Sequence, residues 1–132
     1  MIDISNIVID TVAKAVWETY PTADVTADYN PTPEVFPTVF IYEASNTSYQ
    51  SFDDSLTEHH VNVMYVVDVF ALDLATAKAI RDITDEAMMG MKFTRNFSAP
   101  TFNIDRTIKR YTSRYTAVVG ELTDNTYQMY RS

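Results

Sequence analysis

Cysteine is absent from this sequence, and glycine is scarce. Without cysteine the chain can hold no disulfide framework, no thiolate zinc site and no cysteine nucleophile. The only two glycines, Gly90 and Gly120, lie outside any Gly-rich loop of the kind that cradles phosphate. No apolar run approaches the roughly 18 residues that a membrane span needs. These absences argue against thiol chemistry, nucleotide binding and membrane insertion.

Positive charge is also scarce, and it is unevenly placed. The chain carries 10 Lys and Arg against 18 Asp and Glu, for a net charge of −8. Residues 1–60 carry −9, residues 61–105 carry −2 and residues 106–132 carry +3. Binding to nucleic acid phosphates depends on clustered cations, so this balance argues against nucleic acid recognition. The polarity is either an ordinary solvated surface or a sign that acidic and basic faces of neighbouring copies meet.

The sequence does contain enough apolar material for a core. Hydrophobic residues make up 46% of the 132 positions and aromatic residues 13%, which excludes intrinsic disorder and fits one domain over residues 1–132. No repeat or Gly/Ser linker divides the chain. The first twenty residues lack the basic start and apolar run of a secretory signal, so we expect none.

Hydrophobic periodicity predicts two helices and six strands. A helix is predicted over Asp3–Tyr20, and Asp73 is placed to cap a second helix that runs to Met89 and ends at Gly90. The strands are predicted at Ala23–Tyr29, Phe36–Ala44, Glu58–Ala71, Lys92–Ala99, Thr107–Glu121 and Thr126–Arg131. The third of these is apolar on both faces, which is typical of a central strand. We therefore predict an α+β domain, with a mostly antiparallel sheet of about five to six strands and two helices packed on it.

The helical spacing also predicts which side chains are buried. The first helix is expected to bury Ile4, Ile7, Val8, Thr11, Val12, Ala15, Val16 and Thr19, and the second Thr76, Ala79, Ile80, Ile83 and Ala87. On the third strand, Val61, Val63, Tyr65, Val67 and Val69 share one face, and on the fifth Tyr111, Ser113, Tyr115, Ala117 and Val119 do so.

One stretch resembles a reactive site, namely Asp53, Asp54, Glu58, His59 and His60. Carboxylates and imidazoles can hold a metal ion, so a small metal-dependent enzyme is one hypothesis. Consecutive residues of a strand point to opposite faces, however, which separates the two histidines. The stretch also lacks the i, i+4 histidine pair of the helical zinc motif. We therefore expect a solvated loop, with no metal, no cofactor and no catalytic residue.

The succession of elements resembles the small tail-terminator, or tail-completion, proteins of long-tailed bacteriophages. The features that carry the resemblance are the opening amphipathic helix, FPTVFIYEA at Phe36–Ala44 after a Pro-rich connection, and a polar loop with SYQSFDDS. They continue with HHVNVMYVVDVFA at His59–Ala71, the helix LATAKAIRDITDEAMMGMKF, and the closing strands with IKRYTSRYTAVVG and TYQMYR. The likeness covers nearly the whole chain and lies in element order and sequence texture.

The resemblance implies a structural virion protein and no enzymatic activity. Such proteins form a ring, commonly a hexamer, that caps the tail tube, ends its polymerisation and presents a surface to the head connector. The implied partners are further copies of the chain, the tail tube protein and a head connector or neck protein, with genomic DNA passing through an acidic lumen without specific binding. The implied location is the tail or neck of the virion, assembled in the host cytoplasm, with no membrane. A head-to-tail joining or head-closure protein of the neck is the alternative.

The charge polarity suggests which residues would join such a ring. We predict a head-to-tail interface between a basic set and an acidic set. The basic set is Arg106, Lys109, Arg110 and Arg114, and the acidic set is Asp3, Asp10, Glu18, Asp24 and Asp28.

The long polar segment Ser45–Thr57 is predicted to be a working loop. Asp53 and Asp54 make it acidic, while Tyr49 and Phe52 offer contact area that a solvated loop does not need. We expect it to line the lumen or to contact a neighbouring ring. A disordered hairpin tip is the alternative.

Overall fold

The computed structural model describes residues 1–48, 60–103, 105–123 and 126–131. Within these ranges the elements are α1 (Ser5–Thr19), β1 (Asp24–Thr26), β2 (Thr38–Ser48), β3 (His60–Ala71), α2 (Leu74–Gly90), β4 (Thr94–Thr101), β5 (Lys109–Thr123) and β6 (Thr126–Tyr130). The strands form one sheet in the order β1-β2-β3-β5-β4, and β6 pairs with the far part of β5. The β1–β2 pair is parallel and the other described pairs are antiparallel. The predicted α+β class, with a mostly antiparallel sheet and two packed helices, is confirmed.

The middle of the sheet is β3, which pairs with β2 on one edge and with β5 on the other. The residues predicted to share one face of this strand, Val61, Val63, Tyr65, Val67 and Val69, are all buried in the main core. The five residues predicted to share one face of β5 are buried as well. The other face of β3 is also largely buried at Val66, Asp68 and Phe70, as expected of a central strand.

Both helices lie against this inward face of the sheet and contact each other. The residues buried along them are Val8, Val12, Ala13 and Val16 of α1, and Ala77, Ile80, Thr84 and Met88 of α2. The predicted stripes were partly wrong, since Ile7 and Thr19 are exposed and Thr84 lies inside. Thr84 can be buried because its hydroxyl donates to the carbonyl of Arg81 at 2.9 Å. No described helix is long and apolar enough to cross a bilayer.

Both ends of α2 lie where they were predicted, but the C-terminal end is formed by a different residue from the one expected. Asp73 caps the helix as predicted, since its Oδ1 accepts from the Thr76 N–H at 2.8 Å, and this hydrogen bond lowers the pKa of Asp73. Gly90 is the last helical residue, but the left-handed conformation falls at Lys92, with φ 73°. A non-glycine residue in that region costs roughly 1–2 kcal/mol. The helix therefore ends at the predicted glycine, but Lys92 adopts the left-handed conformation that terminates it.

Several strand boundaries differ from the prediction. β2 continues through a β-bulge between Glu43 and Ser45 and pairs as far as Ser48, so the first part of the predicted loop Ser45–Thr57 is strand. β1 stops at Thr26, whose hydroxyl accepts from the Asp28 N–H at 3.1 Å and turns the chain. A second bulge lies in β4 between Arg95 and Phe97. The predicted loop contacts Tyr49, Phe52, Asp53 and Asp54 lie outside the described residues.

Two buried tyrosines stand opposite each other on β3 and β5. Tyr65 and Tyr115 are fully buried, and the register pairs them directly. The Tyr65 hydroxyl lies 3.2 Å from Ser5 Oγ, and the Tyr115 hydroxyl donates to Asp85 Oδ1 at 2.8 Å. Burial raises the pKa of Tyr65 to about 12, and burial together with the bond to Asp85 raises the pKa of Tyr115. The core therefore resists ionisation of both groups.

This resistance predicts a loss of stability at alkaline pH. Above the ordinary tyrosine pKa of about 10 the unfolded chain releases these protons before the folded chain does. For Tyr65 the stabilisation is complete below pH 10 and is lost toward its folded pKa of about 12, at up to about 1.4 kcal/mol per pH unit, and the raised pKa of Tyr115 acts in the same direction. In Tyr65→Phe the free energy of unfolding, measured by urea denaturation from pH 9 to 11.5, should fall less steeply. Identical slopes in the variant and the wild type would contradict this account.

Candidate functional site

The strand order places most acidic residues of the N-terminal part at one lateral edge of the sheet and most basic residues at the other edge. α1, β1 and the connection from β1 to Pro37 come from the acidic N-terminal part of the chain and lie at one lateral edge of the sheet. We name these three segments the acidic side. β4, β5 and the connection between them form the basic side. Residues 1–48 contain seven acidic residues and one lysine, whereas seven of the ten Lys and Arg residues follow Gly90. The charge polarity of the sequence thus becomes a charge polarity across the molecule.

The five acidic residues predicted for an interface are all exposed on the acidic side. They are Asp3, Asp10, Glu18, Asp24 and Asp28. Asp3 accepts from the Ser5 N–H at 2.9 Å, a hydrogen bond that lowers its pKa. Asp10 and Glu18 lie one turn before and one turn after Lys14 on the surface of α1. These carboxylates are available to solvent or to another molecule.

Three of the four predicted basic residues are exposed on the basic side. Lys109 donates through Nζ to the backbone carbonyl of Arg106 at 3.0 Å, which places its ammonium against the connection just before β5. Arg114 lies farther along β5, with its guanidinium carbon 5.3 Å from the ring centroid of Phe97. None of the three forms an ion pair with a described residue. Their charges therefore remain unbalanced within the described part of the chain.

Arg110 differs, because its charge is paired inside the chain. Its Nε and Nη2 donate to Asp68 at 3.2 and 3.1 Å, and Thr112 donates to the same carboxylate. Asp68 is fully buried and the Arg110 side chain is 17% exposed. The interface prediction did not include this partner. Since the pair occupies its charge, Arg110 is not available to bind a carboxylate of another copy.

The ion pair also holds the acidic side onto the sheet. The Arg110 guanidinium lies between two rings, 5.1 Å from the centroid of Phe70 and 5.5 Å from that of Tyr29. Tyr29 belongs to the connection before β2 and also packs edge-on against Phe40 at 5.3 Å. The sequence did carry a signal of this pair, because Asp68 is the one carboxylate of β3 and lies between apolar residues, and a buried carboxylate requires a partner.

The face of the sheet opposite the helices carries a second, smaller core. Phe40, Phe70 and Ile108 are buried there, with Phe36 packed against them. Beyond this cluster the face is more open, since Tyr42 and Met64 are half-buried and Arg114 is exposed. The face is thus covered at one end and accessible at the other.

The metal hypothesis concerns a stretch of which only His60 is described, because Asp53, Asp54, Glu58 and His59 lie outside the described residues. His60 starts β3 opposite Gly120 of β5 and lies 6.2 Å from the ring of Tyr130. A Cβ on Gly120 would lie 2.9 Å from two atoms of the imidazole. Within the described ranges no group of three or more His, Asp or Glu could hold a metal ion.

Comparison with known proteins does not assign the chain. No protein-family model matches it, and no curated protein matches it. Its function has to be inferred from its own residues, and the tail-terminator resemblance stays a prediction.

The buried ion pair predicts a large difference between two arginines of one strand face. Arg110→Met leaves Asp68 buried and unpaired, which should cost about 3–5 kcal/mol of unfolding free energy. Arg114→Met is the matched control and should change stability by at most about 0.5 kcal/mol, because Arg114 is exposed. The double variant Asp68→Leu, Arg110→Met should recover most of the loss. Urea denaturation measures all three, and equal effects at the two arginines would show that the pair does not stabilise the fold.

The contact between His60 and Gly120 predicts a coupled loss of stability. Gly120→Ala forces the imidazole, the outer part of a flexible side chain, to move and should cost about 0.5–1.5 kcal/mol. In a His60→Ala background the same change should cost much less, because the obstructing ring is gone. Thermal or urea denaturation of the two single variants and the double variant gives the coupling. Strictly additive losses would mean that the imidazole does not occupy this space.

Proposed function

We propose that this chain is a tail terminator of a long-tailed bacteriophage, a virion protein whose ring caps the tail tube, ends its polymerisation and provides the docking surface for the head connector. The observation that carries the proposal is the placement of acidic and basic side chains on opposite sides of one sheet. The resemblance in element order supplies the biological role. The proposal assigns no catalytic residue, metal or cofactor.

A head-to-tail ring requires two different surfaces that complement each other on neighbouring copies. The acidic side and the basic side fit this requirement because no ion pair of the described residues joins them within one copy, although Asn103 of the basic side donates to the carbonyl of Pro31 at 3.4 Å. β1 and β4 are four strand spacings apart, or about 19 Å at about 4.8 Å per spacing. Charges at that distance are screened at physiological ionic strength, where the Debye length is about 8 Å. Association of a second copy is therefore the direct way to pair them.

Electrostatics alone is too weak to hold such a ring. Each exposed ion pair contributes about 0.2–1 kcal/mol, so two or three pairs per contact orient the copies without binding them tightly. A net charge of −8 on every copy also opposes association. The acidic total suits a lumen through which DNA passes without binding. Stable assembly then needs buried apolar surface in addition.

The proposal is tested by electron microscopy of the purified protein, alone and mixed with isolated tail tubes. We expect rings that seat on one end of each tube and prevent further growth when tube subunits are added. Rings that bind the portal side instead would assign the chain to the neck, as a head-closure or head-to-tail joining protein. A compact monomer with stoichiometric bound metal would overturn the proposal and support the enzyme hypothesis of the Asp53–His60 stretch.

Charge reversal on the basic side should weaken the ring. Arg106→Glu with Lys109→Glu is expected to shift the protein toward monomer in sedimentation velocity, more strongly at low salt because screening is then weaker. Arg110 is left unchanged because Asp68 binds it within the chain. Adding Asp24→Lys and Asp28→Lys should restore assembly by exchanging the two signs.

The matched control is Lys78→Glu with Lys92→Glu. It changes the net charge by the same amount at two positions, on α2 and on the turn before β4, that are not part of the β4–β5 connection. The control should assemble as the wild type does. If both double variants assemble equally, the charged sides do not orient the ring.

A further inference from the structure

Trp17 is the only tryptophan of the chain, and it is exposed at the acidic side. It lies near the end of α1 with 45% of its surface accessible. Its indole N–H donates to the carbonyl of Ala23 at 2.8 Å, so the polar atom of the ring is already satisfied within the chain. Two exposed acidic residues are its chain neighbours, because Glu18 follows Trp17 and Asp24 follows the residue that accepts its hydrogen bond. An exposed aromatic ring with its hydrogen bond already made is well suited to be buried in a contact.

A cavity of about 660 Å³ lies at the basic side, between the start of α2 and the β4–β5 connection. Its apolar lining includes Leu74, Pro100, Phe102 and Ile108, and its cations include Arg106 and Lys109. Phe102 is fully exposed and Leu74 is 45% exposed. The cavity therefore combines uncovered apolar surface with two unbalanced positive charges.

The tryptophan and the cavity lie at the same end of the sheet. One row of paired residues crosses all five main strands and consists of Asp24, Thr38, Phe70, Arg110 and Thr101. Trp17 is bonded to the residue before Asp24, at one end of that row. The cavity is lined by Thr101, at the other end of the row, and by Phe102 just beyond it. If two copies lie side by side with these rows in line, Trp17 of one copy faces the cavity of the other.

We propose that Trp17 of one copy inserts into this cavity of the next copy, with Glu18 and Asp24 facing Arg106 and Lys109. The inference rests on the ring assembly of the proposed function and names the contact that makes it. The indole contributes the apolar burial that exposed ion pairs lack, and a guanidinium on its face adds a cation–π contact. The flanking charges fix the direction in which the copies join.

Other exposed aromatic side chains fit the cavity less well. Phe97 and Phe102 lie on the basic side themselves, without neighbouring carboxylates of the acidic side. Tyr29 is on the acidic side, but it packs against Arg110 and Phe40 of its own chain. Only Trp17, among the aromatic residues of the described ranges, is both exposed on the acidic side and free to leave water without breaking a packed cluster.

Because the chain has one tryptophan, its fluorescence reports on this contact directly. Acrylamide quenching and sedimentation velocity are measured on the same samples across a dilution series. We expect the quenching constant of the assembled protein to be at least twofold below that of the monomer, with a blue-shifted emission. Assembly with unchanged quenching would overturn the Trp17 contact and leave the ring proposal standing. A protein that stays monomeric at all concentrations would overturn both.

A complementation experiment tests the partner surface. Trp17→Ala removes the inserted ring, and Phe102→Asp places a carboxylate in the cavity at a fully exposed position that the fold does not need. Each variant alone should be monomeric, with circular dichroism confirming its fold. An equimolar mixture should form heterodimers and no rings, because only one intact pair of surfaces remains. Ile7→Ala, on the same helix and 40% exposed, is the control and should assemble normally.

The outcomes of the mixture are decisive. Heterodimers would support insertion of Trp17 into the cavity of a second copy. A mixture that stays monomeric, or single variants that still form rings, would show that these two surfaces do not meet.

Discussion

β3 must satisfy the backbone donors and acceptors of 12 consecutive residues inside the protein, and the rest of the fold follows from that requirement. It does so by pairing with β2 on one edge and with β5 on the other. The chain before β3 therefore lies at one side of the sheet, and the chain that continues into β5 lies at the other. The N-terminal part of the chain is acidic and the C-terminal part is basic. Because the central strand separates these two parts, the acidic and basic residues lie at opposite edges of the sheet.

The parts of the fold that depend on local pattern could be predicted from the sequence. Alternation identified which residues of β3 and of β5 share a face, and Asp73 identified the start of α2 through its capping hydrogen bond. The continuation of β2 to Ser48 could not be predicted, because a bulge resumes the pairing after polar residues that favour a loop. The burial of Thr84 depends on one hydroxyl bond to a backbone carbonyl, which hydrophobicity does not reveal.

For the candidate site, the sequence predicted only that its residues would be charged and exposed, with acidic and basic residues apart. Exposed carboxylates and cations were expected and lie on opposite sides, but the pairing of Arg110 with Asp68 joins residues 42 positions apart. That contact arises from the register of two neighbouring strands, which periodicity within either strand does not contain. The cavity beside Leu74 and Phe102 likewise depends on how a helix start and a strand connection approach each other. Tertiary contacts of this kind require the structure.

The two β-bulges have a consequence for how copies can join. Beyond Phe40 the described part of β2 has no outer strand partner, and β4 is the outer strand at the opposite side, yet both are bulged and β4 also contains Pro100. Such irregular edges resist fusion with the edge of another sheet. In the ring proposed above, copies would thus be steered away from a shared, fibre-like ladder toward contacts made by side chains. Such contacts would let an incorrectly placed subunit leave before the ring closes.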